Sequence, residues 1–423
     1  MTIRTAVTMR NPVFEAQVVE DGLKDGYWLA PVDVDGDGRP DLVASGLAEG
    51  HVVWYQNPTW TKRRIATFDK TVSLDTGDIA GEGRADIVVC HDYGRCMFDC
   101  GPQDGRISWV RNPGRADAED WEVRPVGDLV ATHRMRLGSF TGRSPRELMA
   151  LPVVGPGGGS AAVHQPIRVT LFTPPADVLT AGDWDATVID ESHFRVIHGV
   201  ALEPGDGGRE RLLLASEEGL TWFGCGPDGR WATASLGTGE LGQQPRTGFK
   251  GSGNVAVGSV GGDRLAYVAA VEPFHGNTVA VYTRGAGVSA AGPWTRHVLD
   301  VFGDPNERGE GAAHHVVAAD FDGDGDDEFL VALRGPEPWQ GVFYYKAVDV
   351  EQALFVKVRV STASAARIAV ADFDGDGRLD FATTGYYTPG YFLCDHPQVV
   401  LFTNRFGAPV PGQPAIPRGP LGG

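Results

Sequence analysis

No apolar run in this 423-residue chain is long enough to cross a bilayer, and no hydrophobic signal segment stands at its N-terminus. The expectation is a soluble, cytoplasmic protein with no membrane partner. Positive charge is also short: 37 Lys and Arg stand against 55 Asp and Glu, a formal net charge of −18. A surface of that sign repels phosphate backbones and argues against a nucleic acid partner. Cysteine is scarce, with Cys90, Cys96, Cys100, Cys225 and Cys394 and no C-x-x-C pair. That odd number reads as mostly free thiols, with a Cys96 to Cys100 link as the alternative. Histidine is scarce too, 11 in all, so its placement carries information. Turn formers are plentiful, with Gly 58 and Pro 28, as many tight turns require.

Three stretches repeat D-x-D-G-D-G, then an acid and apolar strand formers. Carboxylates recur at loop positions one, three, five and nine: Asp33, Asp35, Asp37 and Asp41; Asp320, Asp322, Asp324 and Glu328; Asp372, Asp374, Asp376 and Asp380. Oxygen ligands spaced by glycines suit a hard cation, calcium or magnesium. An EF-hand would need flanking helices and a bidentate Glu at position twelve, whereas Leu42-Val43-Ala44 and Phe329-Leu330-Val331-Ala332 follow as strand-like runs. The loop therefore joins two strands, and the ion's expected role is to pin a turn. The pattern resembles the FG-GAP (VCBS-type) repeat of β-propellers.

With the loop as register, degenerate copies emerge at Asp78 to Asp86, Gly138 to Gly142, Val200 to Ala215 and Val255 to Ala270, giving seven units. Six are followed by a third strand and then a fourth, often opened by an aromatic, as at Trp60, Trp121, Trp184, Trp231, Trp294 and Phe355. The seventh fourth strand is at the front, in Phe14 to Val19. The expected fold is all-β, a seven-bladed β-propeller over residues 1–406 closed by this N-terminal outer strand, with a flexible Pro/Gly-rich tail over 407–423. One ring uses a length that would ordinarily suggest two or three domains.

Six residues before each loop lies the channel end of each inner strand: Tyr27, Val72, His133, His198, Gly253, His314 and Ala366. Three are histidine. His275 lies in the loop between the second and third strands of blade five, which shares their face of the ring. Four histidines are thus expected at one mouth of the channel, with the acidic loops at the other end. Imidazoles without charged neighbours suit zinc, and three protein ligands leave a position for substrate. A lone channel histidine more often satisfies strand termini or water; four at one mouth favour a metal or catalytic role. His315 is expected to point away by strand alternation. Asp75 and Arg367 fall near the same mouth. Asp75 could ligate metal, orient a histidine or merely cap a turn. Arg367 could meet a sugar oxygen or enolate, or simply pair with Asp75.

Several stretches, among them Lys24-Asp25-Gly26-Tyr27-Trp28, Phe274-His275-Gly276-Asn277 and Pro389-Gly390-Tyr391-Phe392, resemble the propeller domain of the aldos-2-ulose (1,5-anhydro-D-fructose) dehydratase family. The resemblance implies a lyase that removes water from a 2-keto sugar such as 1,5-anhydro-D-fructose or glucosone, with zinc at the dehydratase site. It makes His133 the acid/base residue and His198, His275 and His314 the metal ligands. Asp75 stands where the family has a further channel histidine, and becomes a second catalytic candidate. Tyr27, Trp28, Glu272, Arg367 and Tyr391 would contact the sugar. The competing reading is a non-catalytic, calcium-stabilised propeller that binds carbohydrate or protein. The sequence leaves the oligomeric state open, a homodimer among the options.

Overall fold

Seven four-stranded antiparallel sheets succeed one another along the chain. The computed structural model describes residues 11–406 except 95, 102, 103, 144, 145, 181 and 286; residues 1–10 of the expected propeller and its expected tail, 407–423, lie outside these. In blade one the order is Trp28–Val32, Asp41–Ser45, His51–Gln56 and Thr61–Thr67 from the channel outward. Each second strand is squeezed between neighbouring blades, so it reads as a continuous apolar run; Asp41–Ser45, Glu147–Pro152 and Asp380–Thr384 are buried at every position. The outer strands face water, as Thr61–Thr67 does over most of its length. The core therefore lies between blades. Between blades five and six, for instance, Val271, Val279, Val281, Phe329, Val331 and Leu333 form one cluster.

Blade seven is completed from the front of the chain. Phe14–Asp21 pairs antiparallel with Gln398–Asn404, Phe14 opposite Asn404 and Asp21 opposite Gln398. Phe14 anchors this strand edge-on against Phe381, Phe406 and Phe321, with centroids 4.9, 5.6 and 6.2 Å away. No helix among the described residues is long and apolar enough to cross a membrane.

The acidic loops brace the ring in a way the spacing did not reveal. The ninth-position acid is buried and accepts backbone N–H groups from both sides of its hairpin: Asp41 from Val34 and Asn57, Asp380 from Phe373 and Asn404. An asparagine after the third strand then reaches the preceding blade. Asn57 donates to Phe373 O, Asn112 to Val34 O and Asn404 to Phe321 O, at 2.7 to 2.8 Å. These bonds link blade to blade where the apolar core ends.

In loops one and three, carboxylate oxygens of Asp33, Asp35 and Asp41, and of Asp372, Asp374 and Asp380, lie within 4.8 Å of one another. Asp37 and Asp376 turn to the backbone N–H of Arg39 and Arg378 instead. Loop two differs. Its Asp320, Asp322 and Glu328 are grouped as well, but the Lys346 ammonium sits among Asp322, Asp324 and Glu328 at 2.8, 2.7 and 2.7 Å. A cation is thus built into this loop from the third strand of its own blade. Lys346→Met is expected to destabilise the protein by roughly 3 kcal/mol, because buried Asp322 and Glu328 lose their counter-charge. Urea unfolding with and without calcium checks it: added calcium should restore more stability to this variant than it adds to the parent.

Cys96 and Cys100 are joined in a disulfide, so the alternative, not the free-thiol reading, holds for that pair. Cys90, Cys225 and Cys394 are free.

Candidate active site

Two inner strands carry a β-bulge at their channel end. In blade three Thr132 pairs with Pro152 and Arg134 with Leu151, leaving His133 as the extra residue. In blade six Ala313 pairs with Leu333 and His315 with Ala332, leaving His314 extra. A bulge breaks strict alternation and re-aims side chains, so in each pair both neighbours reach the channel. The expectation that His315 points away is thereby corrected: its Nδ1 accepts the Ile368 N–H at 3.2 Å, and its side chain lines the channel.

His198, His275 and His314 come together, one ring nitrogen of each lying within 4.8 Å of the others. Their hydrogen bonds fix the tautomers. A carbonyl can only accept, so His198 Nδ1–H donates to Gly253 O at 2.8 Å and His314 Nδ1–H to Ala366 O at 2.5 Å. Tyr391 gives its hydroxyl proton to Glu310, so its oxygen accepts from His275 Nδ1 at 2.9 Å. All three Nε2 atoms therefore carry lone pairs. Those of His275 and His314 are buried with no protein partner, while His198 Nε2 accepts from Arg134 Nη2 at 2.6 Å. Imidazoles held through Nδ1 with free Nε2 atoms, as His275 and His314 have, suit a zinc-like ion; His198 would join them by releasing Arg134.

His275 reaches this position from a tight loop. Its φ is +47°, in the left-handed region uncommon for a residue with a Cβ. The next residue must be glycine, because a Cβ on Gly276 would lie 2.0 Å from Glu272 O.

His133 lies beside this trio but is not one of the grouped residues. Its ring centroid is 5.2 Å from that of His198, its Nε2 is 3.3 Å from the Tyr27 hydroxyl, and its Nδ1 has no protein partner. Burial, then the Arg134 guanidinium, holds both His133 and His198 well below the usual histidine range. Burial, then His275 and Arg334, does the same to His314. His275 is pushed down to about 4, by burial first and Arg334 second. All four are neutral bases at neutral pH.

The sequence reading of a cluster without charged neighbours is corrected. Arg134 touches His198, Glu310 lies 3.4 Å from His275, and Arg334 pairs with Glu310 at 3.1 Å. Burial favours a protonated Glu310, but the contacts with His275 and Arg334 outweigh it and hold this acid below the carboxylate range. Arg134, Glu310, Arg334 and the buried Tyr93 and Tyr386 were all missed from sequence. Arg134 had one legible signal, its place beside His133, which alternation discounts.

The structure brings Tyr27 and Tyr391 to the histidines and stacks Trp28 under the guanidinium of Arg367, 3.6 Å from ring centre to Cζ. The expectation that Glu272 contacts the sugar is corrected: it is fully buried inside blade five and bonded to Ser252, Tyr282 and Arg296 at 3.1, 2.5 and 2.7 Å, away from the channel. Asp75 is three residues along its strand from the histidine register, roughly 10 Å down the channel. Its carboxylate accepts the Leu137 N–H at 2.7 Å. Arg367 likewise lines the channel below the cluster.

Comparisons with known proteins agree with this fold. A family profile described as "Aldos-2-ulose dehydratase, beta-propeller domain" matches residues 104–285, and an FG-GAP-like repeat profile matches residues 33–89. Aldos-2-ulose dehydratase of Phanerodontia chrysosporium is 36% identical over 422 residues, an alignment covering 92% of this chain. The chain spans less than half, 46%, of that relative's length. Among solved structures, Saccharomyces cerevisiae Sqt1 is similar at TM-score 0.50 and 11% identity, over 88% of this chain and 83% of the other. A chain of the mitotic checkpoint complex is similar at TM-score 0.52 and 10% identity, over 96% and 99%. These two likenesses concern the fold alone.

Proposed function

We propose, from its likeness to the β-propeller domain of aldos-2-ulose dehydratase, that the chain belongs to that family and is a carbon–oxygen lyase removing water from a 2-keto sugar. The observation that carries the reading is the buried trio of His198, His275 and His314, each held through Nδ1, with a fourth neutral imidazole alongside.

In a 2-keto sugar the proton on C3 is acidic only through enolate formation, and the C4 hydroxyl leaves poorly unless protonated. His198, His275 and His314 would hold a zinc-like ion, whose chemistry is Lewis-acid polarisation of the ketone. His133 takes the C3 proton. The same burial and Arg134 charge that keep it neutral make its protonated form a strong acid, ready to protonate the departing C4 oxygen. Such a positioned acid/base group is worth about 10² to 10⁴ in rate. Tyr27 orients His133, and the Tyr391–Glu310–Arg334 chain orients His275. Calcium or magnesium would occupy loops one and three, where it pins the hairpins far from the chemistry.

The test is to mix the purified protein with 1,5-anhydro-D-fructose or glucosone and follow ultraviolet absorbance. An enone lighter than the substrate by one water is expected, and a zinc chelator should stop its formation while the far-ultraviolet circular dichroism stays unchanged. Saturable sugar binding without any enone would favour the non-catalytic propeller instead. Turnover that continues in protein stripped of every transition metal would remove the Lewis-acid part.

A further inference from the structure

The channel below the histidines has a second character. It is a cavity of about 420 Å³ to which all seven inner strands contribute. Three guanidinium groups line it, those of Arg134, Arg136 and Arg367. On a chain with net charge −18 this is a local reversal of sign.

The three arginines are not equally occupied. Arg134 is committed to His198 O, His133 O and His198 Nε2 at 2.7, 2.9 and 2.6 Å. Arg136 donates to Met135 O and Val200 O at 2.7 and 3.2 Å. Arg367 is only 6% exposed, yet its Nε and Nη1 have no protein partner. Its flat face is held against Trp28, which fixes the plane and leaves the donor edge free. The cavity's two carboxylates do not answer this demand. Asp75 is engaged with the Leu137 N–H and its charge reaches Arg136 and Arg367 only at longer range; among the described residues neither it nor Glu203 forms an ion pair with the three arginines. His315 adds another donor, since its Nδ1 accepts from Ile368 and its Nε2 must therefore carry the proton.

A buried cation without a partner is costly, and arginine does not escape by losing its proton. Burial and the neighbouring Arg134 and Arg136 push Arg367 down, the direction in which a negative charge is welcome. We propose that the channel binds a small inorganic oxyanion of the phosphate or sulfate type, with the planar donor edge of Arg367 as its anchor. Guanidinium groups match such oxygens geometrically.

Isothermal titration of the intact protein with inorganic phosphate, at constant ionic strength set by sodium chloride, tests this without reference to turnover or bound metal. Saturable one-to-one binding is expected, displaced by sulfate but not by chloride. Arg367→Met should weaken it about tenfold or more, the loss expected for a hydrogen bond to a charged group. Asp75→Asn keeps an oxygen acceptor for Leu137 N–H, removes a competing negative charge and should tighten binding. No saturable binding to the parent protein, or equal affinity in parent and Arg367→Met, would overturn the proposal. Should Arg367→Met fail to fold, the sign of the Asp75→Asn effect decides in its place: unchanged or weaker binding counts against the site. A protein that binds phosphate yet forms no enone would retain this inference and lose the functional one.

Discussion

His133→Ala is expected to lower turnover by about 10² to 10⁴ while metal content and sugar affinity stay at parental levels. The expectation follows from position. His133 is next to the trio but not grouped with it, and its free nitrogen has no protein partner. His314→Ala should lose metal and turnover together, because two imidazoles remain where three donors are needed. Metal analysis of both purified variants beside steady-state rates separates the roles. If His133→Ala emerges without metal, it joins the ligand set and the proton carrier must be sought elsewhere.

Deleting residues 1–21 should lower the thermal midpoint by roughly 10 °C or more. The strand Phe14–Asp21 supplies a full row of hydrogen bonds to Gln398–Asn404. Its half-buried Phe14 ring, packed among Phe321, Phe381 and Phe406, would alone be worth about 1–2 kcal/mol, and each kcal/mol moves the midpoint of a large domain by about 2 °C or more. The truncated ring also exposes an unpaired edge, which invites association. A melting curve identical to the parent's would show that blade seven stands without its fourth strand.

The blades were legible because one local motif recurs at a fixed distance from two apolar strands, and because a strand buried on both faces spells itself as an unbroken run. His198 and His314 were legible for a related reason: each blade offers one position to the channel end, so a scarce residue repeated there stands out, while His275 was read from the loop that shares their face. What lay hidden depends on exceptions to period two and on distant partners. His133 and His314 are the extra residues of bulges, and nothing local distinguishes them from regular strand residues, so Arg134 drew no notice and His315 was assigned to the wrong face. Glu310, Arg334 and Tyr391 meet only because blades six and seven share a mouth. Lys346 completes a loop that ends 18 residues before it, and its place could not be read without knowing how the third strand aligns. Glu272 looked accessible beside His275, but the strand it ends carries it between sheets.

Joining both ends of the chain in one sheet also orders events in time. The bond from Gln398 to Asp21 links positions 377 apart, whereas blades one to six each draw on consecutive strands and can assemble as they are synthesised. Phe14–Asp21 emerges early and has no sheet to join until Gln398–Asn404 has been made. Contacts of such long sequence separation are slow to form, and an unpaired strand is exposed to other chains while it waits. The first strand of the ring to be made is the last to find its neighbour, so refolding should end in a slow closure step that six of the blades have no part in.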